Sequence, residues 1–174
     1  VASTKAYNAQ LAGLYLIALD FAIKKGTIDE KIALDIINEM KRVPEIITEI
    51  LNNREELQKF AAQHYNSKSV FFIGRGLDYA LCMEGSLKLK EISYIHSEAY
   101  AGGELKHGTI ALIEEGTLVV ACVTQDDLKD KMISNIKEVK ARGASVLAIT
   151  LNCFAREVSQ TADVVITVPD INQL

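Results

Sequence analysis

Four short runs of this chain are apolar from end to end rather than alternating: Ser69-Val70-Phe71-Phe72-Ile73, Thr117 to Val123, Ser145 to Thr150 and Asp163 to Val168. Runs of this kind suit strands buried on both faces. Helical patterns separate them, from about Asp78 to Ile92 and from about Asp127 to Arg142, the latter closed by Gly143. Strands spaced by helices predict a parallel sheet with right-handed crossovers. The expected fold class is α/β: a doubly wound parallel sheet of four strands with flanking helices. No strand signal precedes residue 68, so the first third reads as a helical N-terminal arm. Ser3 or Thr4 is placed to cap a helix running to about Lys25, with Gly26 as its stop. A second helix is expected from about Asp29 into Asn52-Asn53, perturbed at Pro44, and a third from Arg54 to about Tyr65.

Composition narrows the function classes. Hydrophobic residues make up 49% and charged residues 24% of the 174 positions, which suits one packed domain, or one domain plus part of another. Net charge is −4 and no Lys/Arg block stands out, which argues against a nucleic-acid binder. The least charged stretch, Ala6 to Leu19, contains Asn8 and Gln10 and is expected to fall short of a membrane span. No signal-peptide order is present. Cys82, Cys122 and Cys153 are far apart, and His64, His96 and His107 form no ligand pair, so neither a disulfide framework nor a metal site is expected. A reduced, cytoplasmic setting is the expectation. The opening Val1-Ala2-Ser3-Thr4-Lys5 and the closing Asp170-Ile171-Asn172-Gln173-Leu174 both read as cut from something longer.

Three segments can carry chemistry. On the helix from Asp78 to Ile92, stepping about 100° per residue from Glu84 puts Lys88 near +40° and Glu91 near −20°. The three charges share one stripe. Leu81, Gly85, Leu89 and Ile92 lie to one side of it, and Met83 and Leu87 to the other. Such a stripe either lines a cleft, where a carboxylate beside an ammonium can move a proton, or is a plain surface ion pair. Gly74-Arg75-Gly76 follows a strand and opens a helix. It is either an anion-holding turn or a tight turn that needs glycine, and Tyr79 stands where a dinucleotide fingerprint has its third glycine. Ala101-Gly102-Gly103-Glu104-Leu105-Lys106-His107-Gly108 reads as a flexible glycine-flanked loop with one His, structural or functional.

The run from Glu84-Gly85-Ser86-Leu87-Lys88-Leu89-Lys90-Glu91-Ile92-Ser93-Tyr94-Ile95-His96-Ser97-Glu98-Ala99-Tyr100 through Gly103-Glu104-Leu105-Lys106-His107-Gly108 closely resembles the glucosamine-6-phosphate synthase family. The matching part is the second sugar-isomerase (SIS) half of that family's isomerase domain, which has flavodoxin-like layers. The resemblance implies residues 1–27 as a helical junction from a preceding SIS half and 28–174 as the second SIS domain, truncated at its C-terminus. It implies a share in converting fructose 6-phosphate and glutamine-derived ammonia to glucosamine 6-phosphate, the first step of amino-sugar synthesis, with no cofactor. By the same resemblance Glu91 is the proton-transferring carboxylate and Lys88 its neighbouring ammonium. His107 serves sugar ring opening in a neighbouring subunit's site, Val1 and Ser3 touch the sugar, and Glu84 supports the site. The implied partners are the sugar phosphate and a second subunit of a homodimer facing Ala99 to Gly108, without nucleic acid or membrane.

Departures from the family pattern bound these expectations. The glutaminase domain, the first SIS half with its phosphate loop, and the lysine-bearing C-terminal tail have no counterpart here, so the fragment alone is expected to be inactive and to bind fructose 6-phosphate weakly or not at all. Thr124-Gln125-Asp126-Asp127 lacks the phosphate loop's glycine, Thr109 replaces a common proline, and Ser86 and Ser97 replace common alanines. The alternatives are a SIS-type phosphosugar isomerase or deglycase, and a phosphosugar-sensing regulatory module. The intact segment Ile92 to Gly108 speaks against the first. The lack of a helix-turn-helix and of an SxSGxT-like loop speaks against the second.

Overall fold

A computed structural model describes residues 3–52 and 54–170. They form two compact units, one up to Arg54 and one over Glu55–Asp170.

The first unit is a helical pair, α1 (Thr4–Lys25) and α2 (Glu30–Asn52). Gly26, at φ 68°, stops α1 in a left-handed turn whose N–H bonds back to Ala22 and Ile23. Ser3 stands at the N-cap position but with φ 51° and no side-chain cap bond, so the expected cap is not made. A left-handed Ser turns its hydroxyl away from the first free N–H groups. Asp29 does cap α2, accepting from the Ile32 N–H at 2.8 Å. α2 runs unbroken through Pro44, where Thr48 Oγ1 donates to the Pro44 carbonyl at 2.8 Å. Because α1 continues through Phe21, Ala22 and Ile23, its 22 residues are long and apolar enough to cross a membrane by length and composition. That corrects the expectation for this stretch, although core helices of soluble proteins pass the same test.

The second unit opens with α3 (Glu55–His64) and continues β1 (Ser69–Gly74), α4 (Leu77–Ser93), β2 (His96–Ala101), β3 (Leu118–Val123), α5 (Asp126–Lys140), β4 (Ser145–Leu151), α6 (Ala155–Val158) and β5 (Val164–Val168). The strands form one parallel sheet in the order β2-β1-β3-β4-β5. This is the doubly wound layout expected, with five strands instead of four. The additional strand, β2, sits at the sheet edge and reads His-Ser-Glu-Ala-Tyr-Ala, without the solid apolar run that marks the interior strands. β3 is central and buried at every position.

Both faces of the sheet are packed. Val70, Leu118, Val120 and Leu147 face one side, with Phe72 and Leu89 against them. Phe71, Ile73, Val119, Ala121 and Val146 face the other, with Met132, Ile136 and Val139 of α5. Strand order reverses between β1 and β3, and the chain leaves their carboxyl ends through Gly74-Arg75-Gly76 and Thr124-Gln125. Ligands of such sheets bind in the crevice at that point.

Candidate functional site

α4 presents opposite faces to the sheet and to solvent. Asp78, Cys82 and Ser86, spaced by four residues, are buried against the strands. Gly85 lets the helix approach the Phe72 ring, which a Cβ there would meet at 3.2 Å. Glu84, Lys88 and Glu91 fall on the opposite side, as the helical period requires.

The three charges meet. Lys88 Nζ lies 2.6 Å from Glu91 Oε2 and 3.5 Å from Glu84 Oε1. The Lys88 and Glu84 side chains are 16% and 21% exposed, while Glu91 is 44% exposed. The hydrogen bond to Glu91 lifts the Lys88 pKa above the ordinary lysine value against the opposing pull of desolvation, and the charges of Glu91 and Glu84 add to it. The flanking apolar residues Leu81, Met83, Leu87 and Ile92 are themselves exposed, at 43–67%. Among the described residues, a cavity of about 400 Å³ lies over Val70, Phe72 and Leu89 and one of about 310 Å³ lies beside Tyr79 and Lys90. Neither is lined by Lys88 or Glu91. The stripe is thus an ion-pair cluster flanked by exposed apolar side chains, with the Glu91 carboxylate its most exposed member.

His107 is not part of that cluster. It ends a 3-10 segment, Gly102–His107, with its side chain 74% exposed and Nε2 3.9 Å from Glu104 Oε2. The segment is not the flexible loop expected. Leu105 is fully buried, Lys106 pairs with Glu138 at 3.0 Å, and a Cβ at Gly102 would meet Asn135 Oδ1 at 2.6 Å. Its glycines serve close approach rather than freedom. Ser3 is exposed and belongs to the first unit, and Val1 lies outside the described residues.

The turn Gly74-Arg75-Gly76 is filled by the chain itself. A Cβ on Gly74 would sit 2.5 Å from the Asp78 backbone, and Gly76 has φ 54°. Asp78, 3% exposed, accepts hydrogen bonds from the Thr124 N–H at 2.8 Å and from the Thr124 hydroxyl. Gln125 Nε2 donates to the Arg75 carbonyl at 2.6 Å, and Gln125 Oε1 faces the Leu77 N–H at 3.4 Å. Arg75 turns away to Asn135 Oδ1 at 2.9 Å. A buried carboxylate and an amide therefore occupy the crevice between β1 and β3, and the tight-turn reading holds. Sequence reasoning missed Asp78, whose one local signal is an acid in the first turn of α4. Among the described residues no cluster of three or more His, Cys, Asp or Glu is arranged to hold a metal.

Comparison with known proteins adds identity to this geometry. The SIS domain model matches residues 64–171. The chain is 62% identical to a glutamine–fructose-6-phosphate aminotransferase [isomerizing] from Caldanaerobacter subterraneus subsp. tengcongensis, covering 98% of the chain and 28% of that protein. It is 55% identical to the protein of the same name from Clostridium acetobutylicum, covering 100% of the chain and again 28% of the relative. Among solved structures, the C-terminal domain of glucosamine-fructose-6-phosphate aminotransferase from Francisella tularensis superposes with a TM-score of 0.92 at 35% identity, over 98% of this chain and 48% of that one. The chain thus spans little more than a quarter of the relatives' length.

Proposed function

Since the chain belongs to the SIS domain family, we propose that it is the second SIS half of an isomerising glutamine–fructose-6-phosphate aminotransferase, with residues 1–27 as the junction to a preceding half and 28–174 as the SIS domain. Its share of the work is the aldose–ketose step on fructose 6-phosphate after ammonia has formed an imine at C2. The observation that carries this reading is the Lys88–Glu91 contact on a rigid helix, within a chain 62% identical to such an enzyme.

In this mechanism the Glu91 carboxylate removes a proton from C1 of the protonated imine. The C1–H electron pair becomes the C1=C2 double bond, and the displaced C=N pair goes to nitrogen. Glu91 then returns the proton to C2, and loss of the C1 hydroxyl proton leaves an aldehyde at C1 beside the C2 amine. A positioned carboxylate contributes roughly 100-fold or more to such a transfer. Lys88 keeps Glu91 ionised as the base, and Glu84 holds Lys88 from its other side. His107, turned outward on a pinned segment, serves ring opening in a neighbouring subunit's site, which makes the working form a homodimer. Val1 and Ser3 contact the sugar. The setting is cytoplasmic, with no membrane, nucleic acid, metal or organic cofactor. The chain alone is inactive and holds fructose 6-phosphate weakly.

The test is Glu91→Gln and Lys88→Ala in the full-length enzyme, assayed for ammonia-dependent glucosamine 6-phosphate formation and for sugar-phosphate affinity. Glu91→Gln keeps binding and loses roughly 100-fold or more in turnover. Lys88→Ala weakens both. Turnover near the wild-type rate in Glu91→Gln would refute the assignment.

A further inference from the structure

The buried face of α4 carries three polar ties, each to a different strand. Asp78 is bonded through the Thr124 N–H and hydroxyl to the end of β3. Cys82 Sγ donates to the Ile73 carbonyl of β1 at 3.3 Å. Ser86 Oγ lies 3.1 Å from Ser97 Oγ on β2, which also donates to the Ser86 carbonyl at 2.7 Å. Hydrogen bonds are directional, so these ties fix where the helix sits and how it is turned, which apolar packing alone holds less tightly.

We propose that Asp78 is a positioning residue for the proton transfer: its two-point tie across the crevice between β1 and β3 sets the pose of α4 and so the placement of Lys88 and Glu91. This rests on the reading of Glu91 as the base. At about 1.5 Å rise per residue, Asp78 lies ~12 Å to one side of the Ser86–Ser97 tie and Glu91 ~7.5 Å to the other. A helix released at Asp78 rocks about that tie, and a shift of ~1 Å at its start becomes ~0.6 Å at Glu91. Productive geometry tolerates about 0.5 Å, and a misplacement of about 1 Å can cost 100-fold. The rocking therefore costs turnover. Asp78 does this without touching the sugar, since it is 3% exposed on the face of α4 opposite the charged stripe.

The experiment uses the full-length enzyme with Asp78→Ala, Asp78→Asn, Thr124→Val and, as reference, Glu91→Gln. The readouts are kcat and KM for fructose 6-phosphate at saturating ammonia, with sodium formate titrated against sodium chloride at equal ionic strength. Asp78→Ala is expected to lower kcat about 10-fold with KM within about threefold of wild type. Formate, a carboxylate that fits the space left, restores kcat in a saturable way and chloride does not. Asp78→Asn keeps kcat near wild type, because its oxygen accepts from the Thr124 N–H and its amide can donate to the Thr124 hydroxyl. Should Asp78→Ala not fold, Thr124→Val decides: it removes one of the two bonds at nearly constant shape, and kcat is expected to fall about threefold at unchanged KM. Wild-type kcat in folded Asp78→Ala or in Thr124→Val, or a loss that formate leaves untouched, overturns the proposal. If Glu91→Gln loses turnover in the same series, only the positioning role has failed. If Glu91→Gln turns over normally, the base assignment falls and the positioning role with it.

Discussion

Lys88 Nζ and Glu91 Oε2 lie 2.6 Å apart across one turn of α4, with both side chains projecting from the helix face that the sheet does not use. Glu91 is the largest influence raising the Lys88 pKa. Glu91→Gln is therefore expected to bring the Lys88 pKa back down toward the ordinary lysine value, as followed by NMR of the lysine side chain across alkaline pH. The sign follows from linkage: a raised lysine pKa means stability present below the unfolded value and lost as pH rises through the folded one. The pair's contribution is thus intact at neutral pH and fades above about pH 10.4.

Asp163 gives a dependence at the other end of the scale. Burial pushes its pKa up, but the Lys140 ammonium at 2.6 Å and the Val146 N–H at 2.7 Å outweigh that and hold it below the usual value. A depressed carboxylate contributes stability above its unfolded pKa, and that contribution is lost as pH falls through the folded pKa. Asp163→Asn is expected to lower the urea midpoint at pH 7, and the difference from wild type is expected to shrink as pH falls past about 3.9 and to vanish only below the depressed folded-state pKa. An equal difference at pH 7 and at acid pH would contradict this origin.

Ser86 and Ser97, which stand where the family resemblance expects alanines, are buried and bonded to each other. Ser97→Ala leaves the Ser86 hydroxyl without that partner and is expected to cost about 1–2 kcal/mol. Ser86→Ala costs less, because Ser97 Oγ keeps the Ser86 carbonyl as acceptor. The double variant is expected near wild type, so a double-mutant cycle in urea should return a coupling equal to the sum of the two single costs, about 2 kcal/mol.

Thr109 carries a buried hydroxyl with no hydrogen-bond partner among the described residues. Thr109→Val removes it at nearly constant shape. The expected gain is about 1 kcal/mol, seen as a higher thermal midpoint. An unchanged or lower midpoint would mean that the hydroxyl is satisfied in solution.

The parts of this fold that the sequence announces are those whose burial is uniform. β3 and β4 bury both faces, so their runs are unbroken and strands were the natural reading. β2 escaped because an edge strand does not need that pattern, and its His96, Glu98 and Tyr100 resemble loop composition. The charged stripe on α4 was legible because a helix converts spacing into direction. The tie between Asp78 and Thr124 was not, because it joins residues 46 positions apart and no local pattern encodes such a bond. Around His107 the glycines were visible but their purpose was not. Gly102 and Gly103 have side chains of other elements at 2.6 and 3.2 Å from where a Cβ would stand, and only the fold supplies those neighbours.

The division of α4 into two faces bears on how such a scaffold can diversify. Its ties to β3, β1 and β2 all leave from the sheet side, at Asp78, Cys82 and Ser86, whereas the charges leave from the far side. Exchanges at Glu84, Lys88 and Glu91 disturb none of the bonds that hold the helix in place. Lineages sharing this layer can therefore change the outward chemistry at these positions while the ties that seat the helix on the sheet stay in place.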